Sequence, residues 1–143
     1  MDAECLEEFG CKEGLDMAEQ RVGIENGRAA FAFKSVKDVY NHHGDVFDNY
    51  QSYVKKMPSL IQVNGFGQAL AFCYQKGKEY RYIYDQLAEW LKLKYPSYFV
   101  DRDAEFVETV VSLRSTEYRL LTVEALALLN WMRKFVDGMR KED

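Results

Sequence analysis

The chain has 143 residues, of which 48% are hydrophobic and 15% aromatic, and its formal net charge is −4. This length and composition predict one globular domain with its own core and exclude a disordered chain. No apolar run approaches the roughly 20 residues of a membrane span, so no transmembrane helix is expected. Cys5, Cys11 and Cys73 are odd in number and lack a C-x-x-C spacing. The sequence therefore predicts neither a disulfide framework nor a zinc site, and it favours a reduced, cytoplasmic protein.

The first half of the chain has helical periodicity. Apolar residues recur at intervals of three and four and predict a helix over residues 17–42. Asp45 is the predicted N-cap of a second helix that ends near Met57. Pro58 is expected in the first turn of a third segment, where its missing N–H leaves no hydrogen bond unmade. The acidic residues 1–16 that precede these helices are predicted to be a loosely held N-terminal extension, and residues 17–143 a single helical domain.

The second half continues in the same way. Helices are predicted from Phe66 to a C-cap at Gly77, over residues 79–94, around Phe106 to Val111, and from Thr116 to Arg140. The last of these has a sustained apolar stripe and is expected to be the central helix. The stripe consists of Tyr118, Leu121, Ala125, Leu128, Met132, Phe135 and Met139, and is widened by Leu120, Val123, Ala127 and Trp131. No segment alternates as a strand does, so the predicted fold class is all-α.

Candidate catalytic groups are few. His42 and His43 are adjacent, and neighbouring side chains on a helix point about 100° apart, so a shared metal ion is not expected. Cys73 lies on an apolar stripe, which is typical of a small core residue and not of a nucleophile. Neither a phosphate-binding G-x-x-x-x-G-K motif nor a metalloprotease H-E-x-x-H motif is present. The sequence therefore predicts a protein without catalytic residues, metal or cofactor.

Charge is distributed unevenly. Residues 1–49 carry five basic and eleven acidic side chains, whereas residues 50–99 carry seven basic and three acidic ones. Tyrosines and amides accompany the lysines in this middle segment, and these residue types contact phosphates, sugars and bases. The pattern permits a local RNA-binding patch, but a protein-binding surface or an ordinary solvated surface has the same composition.

Three segments carry a family resemblance. They are Tyr50 to Gly77 (YQSYVKKMPSLIQVNGFGQALAFCYQKG), Tyr80 to Leu91 (YRYIYDQLAEWL) and Ser115 to Met139 (STEYRLLTVEALALLNWMRKFVDGM). Together they resemble the small helical subunit of the type III-B CRISPR (Cmr) effector complex, and the likeness extends over about residues 17–140. The acidic extension departs from that family.

The resemblance implies a compact bundle of about six helices, without nuclease activity, that assembles in several copies with other Cmr subunits. It implies that a basic face lines the channel for crRNA and target RNA in an antiviral complex. The residues that it places on this face are Lys55, Lys56, Gln62, Asn64, Gln68, Arg119, Arg133 and Lys134, and Arg114 is added for its place just before the last helix. The alternative is a helical protein–protein adaptor without nucleic-acid contact.

Overall fold

The computed structural model describes the backbone of residues 13–141 and the side chains of residues 27–139. In this part of the chain six α-helices follow one another and no strand occurs, which confirms the predicted all-α bundle. The helices are α1 (Glu13–His42), α2 (Phe47–Asn64), α3 (Phe66–Lys76), α4 (Glu79–Lys94), α5 (Phe106–Val111) and α6 (Ser115–Lys141). Short 3₁₀ turns at Gly44–Val46 and Pro96–Tyr98 precede α2 and follow α4. None of the described helices is long and apolar enough to cross a membrane.

The helix boundaries follow the local sequence signals at the end of α3 and the start of α5, but not at the start of α2. α3 ends at Gly77 with a positive φ of 65°, as expected of a glycine C-cap. α5 begins with a capping box between Glu105 and Glu108. Asp45, however, lies in the 3₁₀ turn and does not cap α2, whose N-cap is Val46 without a side-chain hydrogen bond.

α1 begins at Glu13, within the stretch assigned to the N-terminal extension. Most of that extension, residues 1–12, lies outside the described residues. The predicted division of the chain at residue 16 therefore stays a prediction.

Pro58 lies inside α2, so the predicted break between Met57 and Pro58 is wrong. A proline inside a helix removes one backbone hydrogen bond and costs roughly 3 kcal/mol. Val54, Met57 and Ile61 are buried on both sides of it, and full burial of such side chains stabilises by about 1.5–3 kcal/mol each. The packing of this apolar face outweighs the lost bond, and the helix continues.

The core lies where α6 packs between α1 and α2. Leu121, Ala125, Leu128 and Met132 of the predicted stripe are fully buried. The edge of the stripe is predicted wrongly: Leu120 and Val123 are 41% and 60% exposed, and Trp131 is only partly buried. Leu129 and Val136 are fully buried in their place. The inner face of α6 is therefore turned towards Leu129 and Val136 and away from Leu120 and Val123.

A buried ionic cluster joins α1, α4 and α6. The Arg28 guanidinium donates from Nε and Nη2 to the two carboxylate oxygens of Glu124, at 2.8 and 2.9 Å. The indole of Trp90 donates to Glu124 Oε2 at 2.8 Å, and Lys94 Nζ lies 3.9 Å from Oε1. The Glu124 side chain is only 6% exposed. Three helices are therefore held to one carboxylate inside an otherwise apolar core.

Candidate nucleic-acid interface

α2 and α6 run antiparallel along one side of the bundle. At one end the Gln51 amide donates to Asp137 Oδ1 at 2.9 Å, and Lys55 Nζ lies 3.1 Å from the same oxygen. Beyond the other end of α2, the backbone N–H of Gly67 donates to the Tyr118 hydroxyl at 2.7 Å. From Tyr118 to Asp137, over about 28 Å, α6 therefore borders the seam between the two helices, which is called the α2–α6 groove below.

Three predicted cations, Lys55, Arg133 and Lys134, lie at the Asp137 end of this groove. Arg133 and Lys134 precede Asp137 by four and three residues and so lie one turn away on α6. Both are exposed; Arg133 Nη2 donates to Asn130 Oδ1 at 3.2 Å, and Lys134 Nζ lies 5.7 Å from the centre of the Trp131 ring. The Lys55–Asp137 pair is nearly half exposed on both sides, and such pairs contribute only about 0–1 kcal/mol. Lys55 therefore remains accessible to another anion.

The Tyr118 end of the groove contains predicted amides and two more arginines, Arg114 and Arg119. The backbone N–H of Tyr118 donates to the Arg114 carbonyl at 2.8 Å, and Arg119 follows directly; both arginines are exposed. Arg119 precedes Asp137 by five full helical turns and therefore lies on the same face of α6. Gln68 and Tyr118 line a pocket of about 420 Å³. Asn64 ends α2 beside it.

The close junction at this end depends on two glycines. Gly65 has a φ of 91°, which turns the chain from α2 into α3. A Cβ at Gly67 would lie 3.0 Å from Val111 Cγ1 and 3.3 Å from the Tyr118 hydroxyl. Glycine at position 67 lets the start of α3 approach Tyr118 of α6. Gln62 lies two turns after Lys55 and is exposed on the same side of α2.

Lys56 is the exception among the predicted residues. It follows Lys55 and therefore points about 100° away from it around α2. Its Nζ lies 6.0 Å from the centre of the Tyr53 ring, in a separate pocket that Lys76 and Lys78 also line. Sequence reasoning missed these two lysines. The signal that could have found them is their position on either side of Gly77, where a helix break exposes neighbouring side chains.

The residues first considered for chemistry lie apart from both surfaces. Burial raises the pKa of the Cys73 thiol to about 12, so it is protonated and a poor nucleophile at neutral pH. His42 Nδ1 lies 3.1 Å from the Asp38 carbonyl oxygen on the surface of α1. Among the residues that the structure describes, no group of three or more His, Cys, Asp or Glu side chains is arranged to hold a metal ion.

The chain was compared with known proteins. The model of the family described as "CRISPR-associated protein (Cas_Cmr5)" matches residues 24–139. A curated protein of Thermus thermophilus, named "CRISPR system Cmr subunit Cmr5", is 28% identical over 113 residues, which cover 78% of this chain and 90% of the relative. The matched range includes every helix that borders the groove and confirms the resemblance inferred from the sequence. The chain therefore belongs to the Cas_Cmr5 family of CRISPR-associated proteins.

Proposed function

We propose that this protein is a non-catalytic structural subunit of a cytoplasmic type III-B CRISPR ribonucleoprotein, and that its α2–α6 groove lines the channel for crRNA and target RNA. Membership of the Cas_Cmr5 family and the relative named as a Cmr subunit support the assignment to the complex. The observation that carries the RNA contact is the row of exposed cations along α6. It runs beside a second helix that contributes a lysine and amides. Other Cmr subunits and neighbouring copies of this chain are the expected protein partners.

The spacing of these cations suits a nucleic-acid backbone. Arg119 and Arg133 are fourteen residues apart, which is about 21 Å along one helix. A pocket for a small molecule would gather its charges within a few ångströms, whereas a strand of phosphates meets charges at intervals. Such contacts position the nucleic acid and carry no sequence information. Base pairing between guide and target then selects the sequence.

The test is charge reversal of Arg119→Glu/Arg133→Glu in the assembled complex. Each cation that contacts phosphate adds roughly one unit to the salt slope of binding. We expect the variant to fold and assemble, to capture target RNA more weakly, and to lose about two units of salt slope, equally for all guides. The matched control is Lys92→Glu/Arg102→Glu, which makes the same charge change at exposed positions lining a different pocket. Target capture at wild-type strength across the salt series would refute the RNA contact.

A protein–protein adaptor is the alternative function, and one observation favours it. Leu120 and Val123 are exposed on α6, next to Arg119, and apolar side chains at the surface are typical of a protein interface. In the adaptor case, Leu120→Asp/Val123→Asp abolishes assembly, whereas the arginine variant leaves RNA capture unchanged. The arginine variant therefore separates the two functions, because the structural subunit proposed above also assembles with protein partners and only RNA capture depends on the arginines.

The absence of catalysis is tested on the isolated protein. We expect single- and double-stranded RNA to stay intact during incubation with any divalent metal ion. Metal-dependent cleavage that disappears in His42→Ala or His43→Ala would overturn the non-catalytic assignment.

A further inference from the structure

The pocket that contains Lys56 lies between α2, the end of α3 and the start of α4. It has a volume of about 440 Å³ and is lined by three aromatic rings and three lysines. The rings are Tyr53, Phe72 and Tyr80, and the lysines are Lys56, Lys76 and Lys78. Pockets of about 300–1,000 Å³ commonly hold small ligands or one group of a larger ligand.

The aromatic rings form a fixed platform. Tyr53 and Tyr80 are stacked, with ring centres 3.8 Å apart and planes inclined by 7°. Phe72 meets Tyr80 edge-on at 5.0 Å. Tyr80 is only 7% exposed and belongs to the core, whereas Tyr53 is half-buried above it. The outer part of the stack therefore offers an aromatic surface whose position is set by the packing beneath it.

Two of the lysines lie over the rings of this platform. Lys56 Nζ lies 6.0 Å from the centre of the Tyr53 ring, and Lys76 Nζ lies 5.8 Å from that of Phe72. Among the described residues, none of the pocket's lysines forms an ion pair, whereas Lys55 pairs with Asp137 on the other side of α2. Among the described residues that line the pocket, Glu79 is the only acidic one, so these residues together carry a net positive charge.

The turn from α3 to α4 brings the second and third lysines to the same pocket. Gly77 and Lys78 have positive φ angles of 65° and 53°, and Lys78 is the only described residue other than glycine in this conformation. A side chain rarely adopts it, because the Cβ meets the backbone. The left-handed turn reverses the chain within two residues, so that Lys76 at the end of α3 and Lys78 before α4 line one site.

We infer that this pocket binds one nucleotide of a single-stranded RNA, with its phosphate on Lys56, Lys76 and Lys78 and its base against the Tyr53–Tyr80 stack. Ammonium groups attract phosphates, and aromatic rings stack on any base, which together give binding that tolerates all sequences. The identification of the ligand as RNA rests on the proposed function. The site is distinct from the α2–α6 groove, because Lys55 and Lys56 lie on different sides of α2.

The experiment uses the full chain with a fluorescent uridine oligomer at low salt. Lys56→Gln/Lys76→Gln/Lys78→Gln should weaken binding at least tenfold and remove about 0.7 units of salt slope, since the three lysines contact one phosphate of a single strand. The matched control, Lys34→Gln/Lys37→Gln/Lys92→Gln, removes the same charge at exposed positions outside the pocket. It should change affinity less than twofold by the same reasoning. Equal losses in both variants would show a general charge effect and overturn the inference.

Stacking has its own readout. Tyr53→Leu should weaken binding roughly tenfold without changing the salt slope, because base stacking contributes independently of charge. The oligomer should also shift the ring resonances of Tyr53 and Tyr80 in the NMR spectrum, and inorganic pyrophosphate should not. Equal shifts with pyrophosphate, or none with either ligand, would overturn the nucleotide site.

Circular dichroism spectra equal to those of the wild type establish that each variant is folded. Failure of the nucleotide-site inference is distinguishable from failure of the proposed function, because the Arg119→Glu/Arg133→Glu variant keeps the pocket intact. If that variant loses target capture while the pocket variants bind the uridine oligomer normally, the RNA contact of the groove is supported and the nucleotide site in the pocket is refuted. The reverse result supports the nucleotide site in the pocket and refutes the RNA contact of the groove.

Discussion

Substitution of Glu124 by glutamine tests the ionic cluster that joins three helices. The change keeps the shape and most hydrogen-bonding capacity of the side chain but removes the negative charge that faces the Arg28 guanidinium, which is only 15% exposed. Removal of one partner from a buried pair typically costs about 3–5 kcal/mol. Glutamine still accepts one hydrogen bond from Trp90 or Arg28, so we expect a loss near 3 kcal/mol, at the lower end of that range.

Urea unfolding followed by circular dichroism measures this loss, and thermal unfolding should show a decrease in Tm of roughly 10 °C for a domain of this size. The double variant Arg28→Met/Glu124→Leu is the control. It removes the two opposite charges together and should recover most of the stability, because replacement of a buried ion pair by apolar side chains is often neutral or stabilising. A loss below about 1 kcal/mol for Glu124→Gln would refute the reasoning, since it would show that the cluster is solvated and that its charges are not coupled.

The same cluster predicts a dependence on pH. Burial opposes ionisation of Glu124, but the hydrogen bonds from Arg28 and Trp90 and the charges of Arg28 and Lys94 outweigh it, and the pKa of Glu124 is lowered from its ordinary value of 4.5. The unfolded chain therefore binds this proton more readily than the folded chain does. Stability from Glu124 is fully present above pH 4.5 and is lost as the pH falls through the lowered pKa of the folded state. The difference between wild type and Glu124→Gln should accordingly shrink below that pH.

Three further predictions concern the core and the helix junction. Leu128→Ala should cost about 2–5 kcal/mol in urea unfolding, because Leu128 is fully buried and the truncation leaves a cavity; a loss under about 1 kcal/mol would place it outside the core. Gly67→Ala should cost roughly 1–3 kcal/mol, since its Cβ would meet Val111 and Tyr118, and an unchanged urea midpoint would contradict this close approach. Cys73 should resist a thiol reagent at pH 8 until the protein unfolds, because burial raises its thiol pKa to about 12; rapid labelling of the folded chain would show that the site opens.

The short-range features of this protein follow from the sequence. Periodicity identified the helices, and Gly77 and Pro96 marked helix ends, because these signals act through the backbone of neighbouring residues. The error at Pro58 has the opposite origin: the local signal predicted a helix boundary, and burial of the flanking side chains overrode it.

The candidate interface was also predicted in part from the sequence and decided in part by helix packing. Sequence reasoning selected the cations of the middle segment and of the last helix, and it included both Lys55 and Lys56 among the RNA-binding residues. The structure puts Lys55 beside Asp137 and Lys56 beside Tyr53. It also makes Lys76 part of a pocket that no spacing in the sequence showed.

By itself the sequence determined the helical class, most of the helices and the family, since these depend on residue order and periodicity. Only the tertiary structure decided which face of α6 is buried and which residues meet across helices. Glu124 is an example. Its place in the helical pattern predicts an ordinary polar position, yet its partners Arg28 and Trp90 lie 96 and 34 residues away in the chain. Contacts at such separations depend on how whole helices pack, and packing depends on the shape of every buried side chain at once.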